Sequence, residues 1–553
     1  MDRRHDLDAL RAIAMLLGIV LHAALSFLPF GWMVTDQNTH PNYGVLVESI
    51  HGFRMPLFFL LSGFFTAMLW RKRGLGALLL HRFKRIFMPL LLGMFTIIPL
   101  TFWVNNFVAS NKKTGSISES QQDGDFWKAV FDGDLETLKT SAQQEWFDPN
   151  VIGPDGNATM LASAAFLGHD EVVEFLIKSG ADVNKRNVDQ GTALHGAAFL
   201  GRARVAKLLI DSGADVHAKN REGKTAYEAL QYDWGTTSFV ANMFEVEISQ
   251  DEVIQGRKKI GEMLLAEDAE QLGDHENMSQ SGSIADLVNL LFYFPLMNHL
   301  WFLWFLCIFV FGFVFYSFLI EKLRVATWLP NALVATPFCL LWLIPLTILP
   351  QAFMDPNAFG PDTSIGILPL PAPLLYYAIF FFFGALYWDY NDQKGRLFFG
   401  WWLLLIIGGA IFPLAMRIRE QYGSGGEHLK LVFNVLQAFY VWFLSLGLMG
   451  LFHRFFAKES KTMRYISDSS YWLYVAHLPL VIYAQWWVSD WQVPSFVKFS
   501  GICVVITAFL LVIYEYCVRY TPIGTLLNGK RVRQRREPVV VQAELAAATN
   551  AED

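Results

Sequence analysis

The stretch "LDALRAIAMLLGIVLHAA", residues 7–24, is apolar enough to enter a lipid bilayer, yet it carries an aspartate, an arginine and a histidine. Arg11 and His22 are eleven residues apart, which on a helix places them about 20° apart around the axis and about 16 Å apart along it. Three further residues share this stripe: Asp8, Met15 and Gly18. Because lipid exposure of an ionisable group is costly, such groups face the protein interior or a wet cavity. The stretch therefore predicts a membrane helix that lines a polar tunnel.

The composition of the whole chain supports a membrane protein. Of 553 residues, 53% are hydrophobic and 15% aromatic, while only 17% are charged, which is too apolar for an ordinary soluble protein. About ten apolar runs are long enough to cross a hydrocarbon core of about 30 Å. They lie near residues 7–29, 46–70, 88–108, 299–320, 328–353, 372–390, 398–416, 429–452, 470–488 and 496–518. The pattern predicts an all-α, polytopic protein embedded in a lipid bilayer.

The distribution of Lys and Arg predicts the orientation of these helices. Basic residues cluster at 71–85, after the second run, and at 530–536, in the C-terminal tail. The connections 30–45 and 354–371 contain neither Lys nor Arg. Because cytoplasmic loops carry the excess of basic residues, both basic clusters and both chain termini are expected in the cytoplasm.

Residues 116–286 interrupt the apolar pattern. They contain 30 acidic and 14 basic side chains, a net charge of −16, so the rest of the chain carries +10. Two segments repeat with a period of 33 residues: "TMLASAAFLGHDEVVEFLIKSGADVN" begins at Thr159 and "TALHGAAFLGRARVAKLLIDSGADVH" at Thr192, before "TAYEAL" at Thr225. This segment resembles ankyrin repeats, which stack pairs of helices into an α-solenoid. It therefore predicts an inserted module that binds an unidentified protein partner.

The ends of the insert resemble altered repeats. "FWKAVFDGDLETLKTSA" from Phe126 is similar to a degenerate first repeat, and "EVIQGRKKIGEMLLAED" at 252–268 resembles a displaced last helix. His195, in the "TALH" turn, is interpreted as a hydrogen-bonded structural histidine.

These patterns divide the chain into four segments. The predicted membrane domain comprises residues 1–115 and 287–522, the ankyrin insert with its linker comprises 116–286, and 523–553 form a basic cytoplasmic tail that is expected to be disordered.

Several motifs carry a family resemblance. "LDALRAIAMLLGIVLH" is similar to the first helix of the acyltransferase-3 family of membrane acyltransferases, whose signature is Arg, ten residues and His. Further similar motifs are "FRMPLFFLLSGFF" (53–65), "HRFKRIFMP" (81–89), "HLWFLWFL" (299–306) and "SYWLYVAHLPL" (470–480). The motifs at 53–65 and 299–306 most resemble the glucans biosynthesis protein C branch of this family. The ankyrin insert departs from that branch.

The resemblance implies an enzyme of the bacterial inner (plasma) membrane. Such an enzyme transfers an acetyl or succinyl group from cytoplasmic acyl-CoA, a co-substrate, to a hydroxyl of an envelope or periplasmic glycan. No resident cofactor or metal is expected, and the four cysteines form no metal-type cluster.

The catalytic group is expected to comprise His22, Arg11 and Asp8. A neutral imidazole can take a proton near pH 7, so His22 is the candidate general base. Asp8 lies too far along the helix to orient His22 and is expected to hold Arg11. Arg82 and Arg85, on the cytoplasmic turn, are suited to bidentate contacts with the phosphates of CoA. The alternative for Asp8 and Arg11 is an interfacial ion pair, and the alternative for His22 is a packing role.

Four polar residues are expected to bind the acceptor at the exported mouth of the tunnel. Glu48, His51 and Arg54 open the second helix, and His299 opens the fourth. The alternative for each is interfacial anchoring beside aromatic residues.

Two further residues are candidates for substrate binding. His477 lies within the ninth predicted helix, and an ionisable group at that depth indicates function. Ser62 is a candidate for substrate contact, and close helix packing together with Gly63 is its alternative.

Two other functions compete with acyl transfer. Intramembrane charges can line the path of a transporter or flippase, although the internal repeat common in transporters is not visible. A membrane-anchored ankyrin scaffold is the other alternative, but it leaves Arg11, His22 and His477 unexplained. Nucleic acid is not an expected partner, because the basic residues lie where membrane topology already requires them.

An odd number of predicted helices precedes the insert, so residues 116–286 are expected on the exported side. A cysteine introduced at Lys219 should then react with a membrane-impermeant thiol reagent in intact cells with a permeabilised outer membrane. Labelling only after the inner membrane is broken would place the ankyrin array in the cytoplasm and contradict the predicted topology.

Overall fold

The described part of the protein consists of helices and their connections. The structure, a computed structural model, describes residues 4–28, 32–111, 124–144, 147–151, 158–187, 190–220, 224–232, 248–271, 297–323, 338–354, 359–390, 400–425 and 427–529, with Trp234, Thr237, Val240, Ala241, Val246, Leu291, Phe292 and Val334 between them. Over these ranges it contains no strand. The chain forms two compact units, residues 1–27, 40–113 and 282–553 in one and residues 28–39 and 114–281 in the other.

Nineteen α-helices are formed by the described residues. The first membrane segment contains α1 (His5–Ala24), α2 (Asn42–Arg82) and α3 (Met88–Ser110). The insert contains α4 (Gly124–Asp132), α5 (Leu135–Ser141), α6 (Met160–Leu167), α7 (Asp170–Lys178), α8 (Ala193–Phe199), α9 (Ala203–Asp211), α10 (Ala226–Ala229) and α11 (Gln250–Gln271). The second membrane segment contains α12 (Trp301–Leu323), α13 (Phe338–Gln351), α14 (Pro371–Tyr390), α15 (Trp401–Gly425), α16 (Glu427–Phe455), α17 (Lys461–Val488), α18 (Ser495–Ile513) and α19 (Pro522–Asn528).

Seven stretches of the described residues are long and apolar enough to cross a membrane. They are His5–Phe27, Asn42–Val108, Asn298–Phe318, Pro371–Tyr390, Trp401–Arg419, His428–Phe455 and Ser495–Val518. The second has 67 residues, about 100 Å of helix, so its length allows more than one crossing. The protein is thus an all-α, polytopic membrane protein, while the figure of ten crossings stays a prediction.

Helix α2 does not run straight into α3. Gly74 has a φ of 77°, outside the helical region, and interrupts α2 before its last turns. A π-helical turn, Phe83–Phe87, then joins α2 to α3. Such turns displace the side chains that they carry, and this one bears Arg85.

The backbones of α2 and α14 touch at two glycines. A Cβ atom on Gly63 would lie 1.8 Å from the carbonyl oxygen of Phe381, and one on Gly384 would lie 1.9 Å from that of Leu60. Small residues allow this approach, which supplies the packing that holds membrane helices together. Gly63 therefore has the packing role that its sequence motif suggested.

The insert has the repeated helical pairs of an ankyrin array. Thr159, Thr192 and Thr225 cap α6, α8 and α10 at intervals of 33 residues. The turns of successive repeats are joined by asparagines: Asn150 Nδ2 donates to the carbonyl of Gly180 at 3.0 Å, and Asn184 Nδ2 donates to that of Gly213 at 3.0 Å. The interpretation of His195 is also confirmed, because its Nδ1 accepts from the amide of Thr192 and its Nε2 donates to the carbonyl of Lys224.

The last helix of the insert closes the array. Helix α11 buries Ile260 and Leu264 in the core of the repeats. Arg257 donates to the carbonyls of Phe199 and Tyr232, so this helix is attached to the ends of the preceding repeats. The expected displaced last helix is therefore present. The tail predicted to be disordered begins at residue 523, but residues 523–528 belong to helix α19, so the prediction is wrong there. The rest of the tail, from 530 onward, lies outside the described residues, as do the linkers at 112–123 and 272–290.

Replacement of Gly63 by alanine is expected to destabilise the membrane unit by about 1–3 kcal/mol, the usual cost of overpacking, because the new methyl group meets the backbone of α14. Thermal unfolding of the purified protein in detergent measures the effect. Gly409→Ala is the matched control, since no atom lies within 4 Å of a Cβ at that position. Equal melting temperatures for the two variants would contradict the assigned contact.

Candidate functional site

The polar stripe of α1 faces α2 and α17. Near the start of α1, Arg11 Nη2 donates to Ser467 Oγ of α17 at 3.3 Å, and its guanidinium lies 5.2 Å from the ring of Phe65 in α2. Near its end, His22 contacts His477 of α17. Helices α1 and α17 therefore run in the same direction, and the two polar contacts lie along the interface between them.

The His22–His477 pair has a defined arrangement of protons. His477 is fully buried, and its Nδ1 lies 2.7 Å from the carbonyl oxygen of Tyr474. A carbonyl oxygen only accepts, so the proton of neutral His477 is on Nδ1 and its Nε2 is an acceptor. His22 Nδ1, 2.8 Å from that Nε2, must then donate. The lone pair of His22 consequently lies on its Nε2, as a general base requires.

A proline positions a third histidine beside this pair. Pro479 has no amide hydrogen, so the carbonyl of Val475, four residues earlier in α17, lacks its helical donor. His299 Nε2 donates to that carbonyl at 3.1 Å, while its ring centroid lies 5.9 Å from that of His477. The Nδ1 of His299 is buried without a hydrogen-bond partner. Tyr474 adds a second contact between α17 and the turn before α12, because its hydroxyl donates to the carbonyl of His299 at 2.5 Å.

Arg54 of α2 lies against the same part of α1. Only 8% of Arg54 is exposed. A Cβ on Gly18 would lie 2.6 Å from Arg54 Nη1, so the glycine provides the space that the guanidinium occupies. A small cavity beside it is lined by residues of four helices: Ala14, Met15, Arg54, Met55, Phe58, Phe302 and Tyr474.

The start of α1 belongs to a cluster of cationic side chains. Asp8 lies 3.3 Å from Arg11, which is the pairing expected from their spacing. Arg82 Nη2 donates to Thr66 Oγ1 at 2.8 Å, whereas its Nε is buried without a hydrogen-bond partner. Arg85 lies next to Gly529, whose Cβ would be 2.7 Å from Arg85 Nη2.

Both ends of α1 are fixed to neighbouring helices. Buried Asp6 accepts from Arg4 at 2.7 Å and from His453 of α16 at 3.0 Å. At the other end, Gln485 of α17 donates to the carbonyl of His22 at 2.8 Å. These contacts fix the position of the stripe relative to α17.

Three other predicted site residues have different contacts. Glu48 forms a 2.6 Å ion pair with Arg419 of α15, and His51 Nε2 donates to the carbonyl of Pro361 at 3.0 Å. Ser62 is buried, and its carbonyl accepts from the Thr66 hydroxyl at 2.7 Å. Of the residues expected at the tunnel mouth, Arg54 and His299 thus approach the histidine pair, whereas Glu48 and His51 have partners elsewhere.

Several polar partners of the site residues were not predicted from the sequence. They are Thr66, Ser467, Tyr474 and Gln485. All four are uncharged, so a search for charged residues within apolar runs gave no signal for them. Pro479 leaves the carbonyl of Val475 without its helical donor. This was the one feature from which a polar partner at this depth could have been inferred.

Comparison with known proteins adds family information to this geometry. Ninety-nine residues, 18% of the chain, are 37% identical to glucans biosynthesis protein C of Escherichia coli (strain SMS-3-5 / SECEC), of which they span 25%. The protein of the same name from Salmonella paratyphi B is 36% identical over 98 residues, 18% of this chain and 24% of its own length. The matches thus span about a quarter of these relatives.

Two families match longer parts of the chain. Residues 126–220 match ankyrin repeats in three copies. Residues 4–137 and 271–515, more than half of the chain, match the family described as an acyltransferase domain. The protein therefore belongs to the acyltransferase-3 family and contains ankyrin repeats within its membrane domain.

Proposed function

We propose that the protein is an integral membrane O-acyltransferase. It moves an acetyl or succinyl group from acyl-CoA on the cytoplasmic side to a hydroxyl of an envelope or periplasmic glycan, in the inner membrane of a bacterium. The observation that carries this proposal is the His22–His477 pair, whose hydrogen bonds leave the His22 lone pair on Nε2. Membership of the acyltransferase-3 family supports the reaction type.

His22 is the general base of the proposed reaction. Its Nε2 takes the proton of the acceptor hydroxyl as the oxygen attacks the thioester carbonyl. His477 holds the ring in the required tautomer and stabilises the imidazolium that forms, because its Nε2 accepts from His22 Nδ1. A positioned base of this kind contributes about 10²–10⁴-fold to a rate.

The cationic cluster at the start of α1 is the proposed site for the phosphates of CoA. Arg11, Arg82 and Arg85 supply three guanidinium groups, and Asp8 lies 3.3 Å from that of Arg11. Guanidinium groups suit bidentate contacts with phosphate. An extended pantetheine arm then runs along the stripe of α1, which covers about 16 Å from Arg11 to His22.

The end of the stripe at His22 is the proposed acceptor side. Arg54 and His299 are polar groups that lie beside it. The ankyrin array lies on the exported side in this proposal, where its negative charge suits a basic segment of a protein partner.

Replacement of His22 by alanine is expected to lower the rate of acyl transfer by at least about 100-fold, because the hydroxyl loses its base. The assay incubates purified protein with acetyl-CoA or succinyl-CoA and a periplasmic glucan extract, and follows CoA release and the mass of the glucans. His40→Ala, in an exposed connection, is the matched control. Normal transfer by the folded His22 variant would exclude the general-base role.

Replacement of Arg82 by alanine is expected to raise the KM for acyl-CoA about tenfold or more, because a charge-assisted phosphate contact contributes about 1.5–3 kcal/mol. Arg11→Ala should act in the same direction. Arg71→Ala is the control, since Arg71 already pairs with Asp389 at 2.9 Å. If CoA affinity were unchanged in both test variants, the phosphate site would lie elsewhere.

A further inference from the structure

Arg54 is a buried cation for which the described residues provide no counter-ion. Its side chain is 8% exposed, and its Nε has no hydrogen-bond partner. No carboxylate in the described ranges lies within ion-pair distance of its guanidinium, in contrast to Arg4, Arg11, Arg71 and Arg419. Because a guanidinium stays charged in a protein, this arrangement is costly unless an anion is supplied during function.

The surroundings of Arg54 place that anion at the reaction centre. Nη1 lies against Gly18, one helical turn and about 6 Å before His22 on the same face of α1. The adjoining cavity is lined by Ala14 and Met15, which lie between Arg11 and Gly18 along α1. Along this stripe of α1, the Arg54 guanidinium therefore lies between the cationic cluster at Arg11 and the candidate base His22.

The aromatic neighbours of Arg54 do not satisfy its charge. The hydroxyl of Tyr474 donates to the carbonyl of His299 at 2.5 Å, and that of Tyr377 donates to the carbonyl of Asp362 at 3.3 Å. Both phenols use their protons elsewhere and offer Arg54 only neutral oxygens. The rest of the cavity wall is apolar, which strengthens any charge interaction formed inside it.

We propose that Arg54 is a catalytic residue that stabilises the negative charge developing on the thioester carbonyl oxygen. The assignment rests on the proposed acyl transfer. As the acceptor oxygen bonds to the carbonyl carbon, the π electron pair moves onto the carbonyl oxygen, and His22 takes the hydroxyl proton. When this intermediate collapses, the C=O bond is restored, the C–S bond breaks, and the departing thiolate of CoA takes the proton from His22. The guanidinium faces the oxygen while it is negative.

Replacement of Arg54 by glutamine is expected to lower kcat about 10²–10³-fold, as the loss of an oxyanion donor does in other enzymes. The KM for acyl-CoA should change little, because the contact strengthens only in the transition state. Acetyl-CoA and succinyl-CoA should be affected equally. The measurement uses the full-length protein with each donor and a periplasmic glucan extract, and added guanidine hydrochloride should restore part of the kcat of an Arg54→Ala variant.

A second variant tests the position of the guanidinium without removing its charge. Gly18→Ala introduces a methyl group that displaces only the flexible end of Arg54, so the fold should persist while kcat falls. Gly501→Ala is the matched control, because nothing lies within 4 Å of a Cβ there. If Arg54→Gln does not fold, the Gly18→Ala variant tests the role of Arg54 by itself. A normal kcat in folded Gly18→Ala would then overturn the assignment.

The remaining outcomes separate this assignment from the proposed function. If wild-type protein transferred no acyl group to the glucans, the proposed function and the role of Arg54 would both be overturned. If wild-type protein were active and Arg54→Gln retained its kcat, only the role of Arg54 would be overturned. A loss confined to the KM for succinyl-CoA would also overturn it, because Arg54 would then bind a carboxylate of the acyl group.

Discussion

The arrangement of the helices around α1 depends on the requirement that polar groups within a membrane be satisfied by the protein itself. Lipid offers no hydrogen bonds, so the stripe Asp8–Arg11–Gly18–His22 must face other helices. Helix α17 provides two of its partners: Ser467 binds Arg11, and His477 binds His22. The same requirement explains His299, because Pro479 leaves a carbonyl without its helical donor and the histidine replaces it. These hydrogen bonds thus offset the cost of burying the polar groups, and they bring three histidines together.

Two of the described groups that depart from this compensation lie beside the histidine pair. Arg54 Nε and His299 Nδ1 are buried without hydrogen-bond partners. Sites that bind a reacting molecule must keep some polar groups unsatisfied until that molecule arrives, since fully paired groups have no capacity left for it. The remainder of α1 is well fixed, with Asp6 bound to Arg4 and His453 at its start and Gln485 bound to the carbonyl of His22 at its end. Rigid supports around unsatisfied groups are what a preorganised catalytic site requires.

The ankyrin array is stabilised in a different way from the membrane unit. Its stability comes from repetition: threonine caps recur every 33 residues, and asparagine side chains join one turn to the next. Each repeat alone buries too little apolar surface to fold, so the ends need closure. Helix α11 supplies one such closure, because Gly256 lets its backbone approach that of Gly201 and Arg257 binds two carbonyls of the preceding repeats.

The sequence by itself determined the membrane class, the helical fold, the ankyrin insert and the face of α1 that carries Arg11 and His22. It did so because hydrophobic periodicity and a repeat of 33 residues are local properties that can be read along the chain. It also predicted the Asp8–Arg11 pair, which lies within one helical turn. Only the tertiary structure decided that His477 pairs with His22, that Arg54 lies against Gly18 and that Glu48 pairs with Arg419. These contacts join residues that are tens to hundreds of positions apart. They depend on which helices are neighbours and on their relative depth, and neither property is contained in the pattern of a single helix.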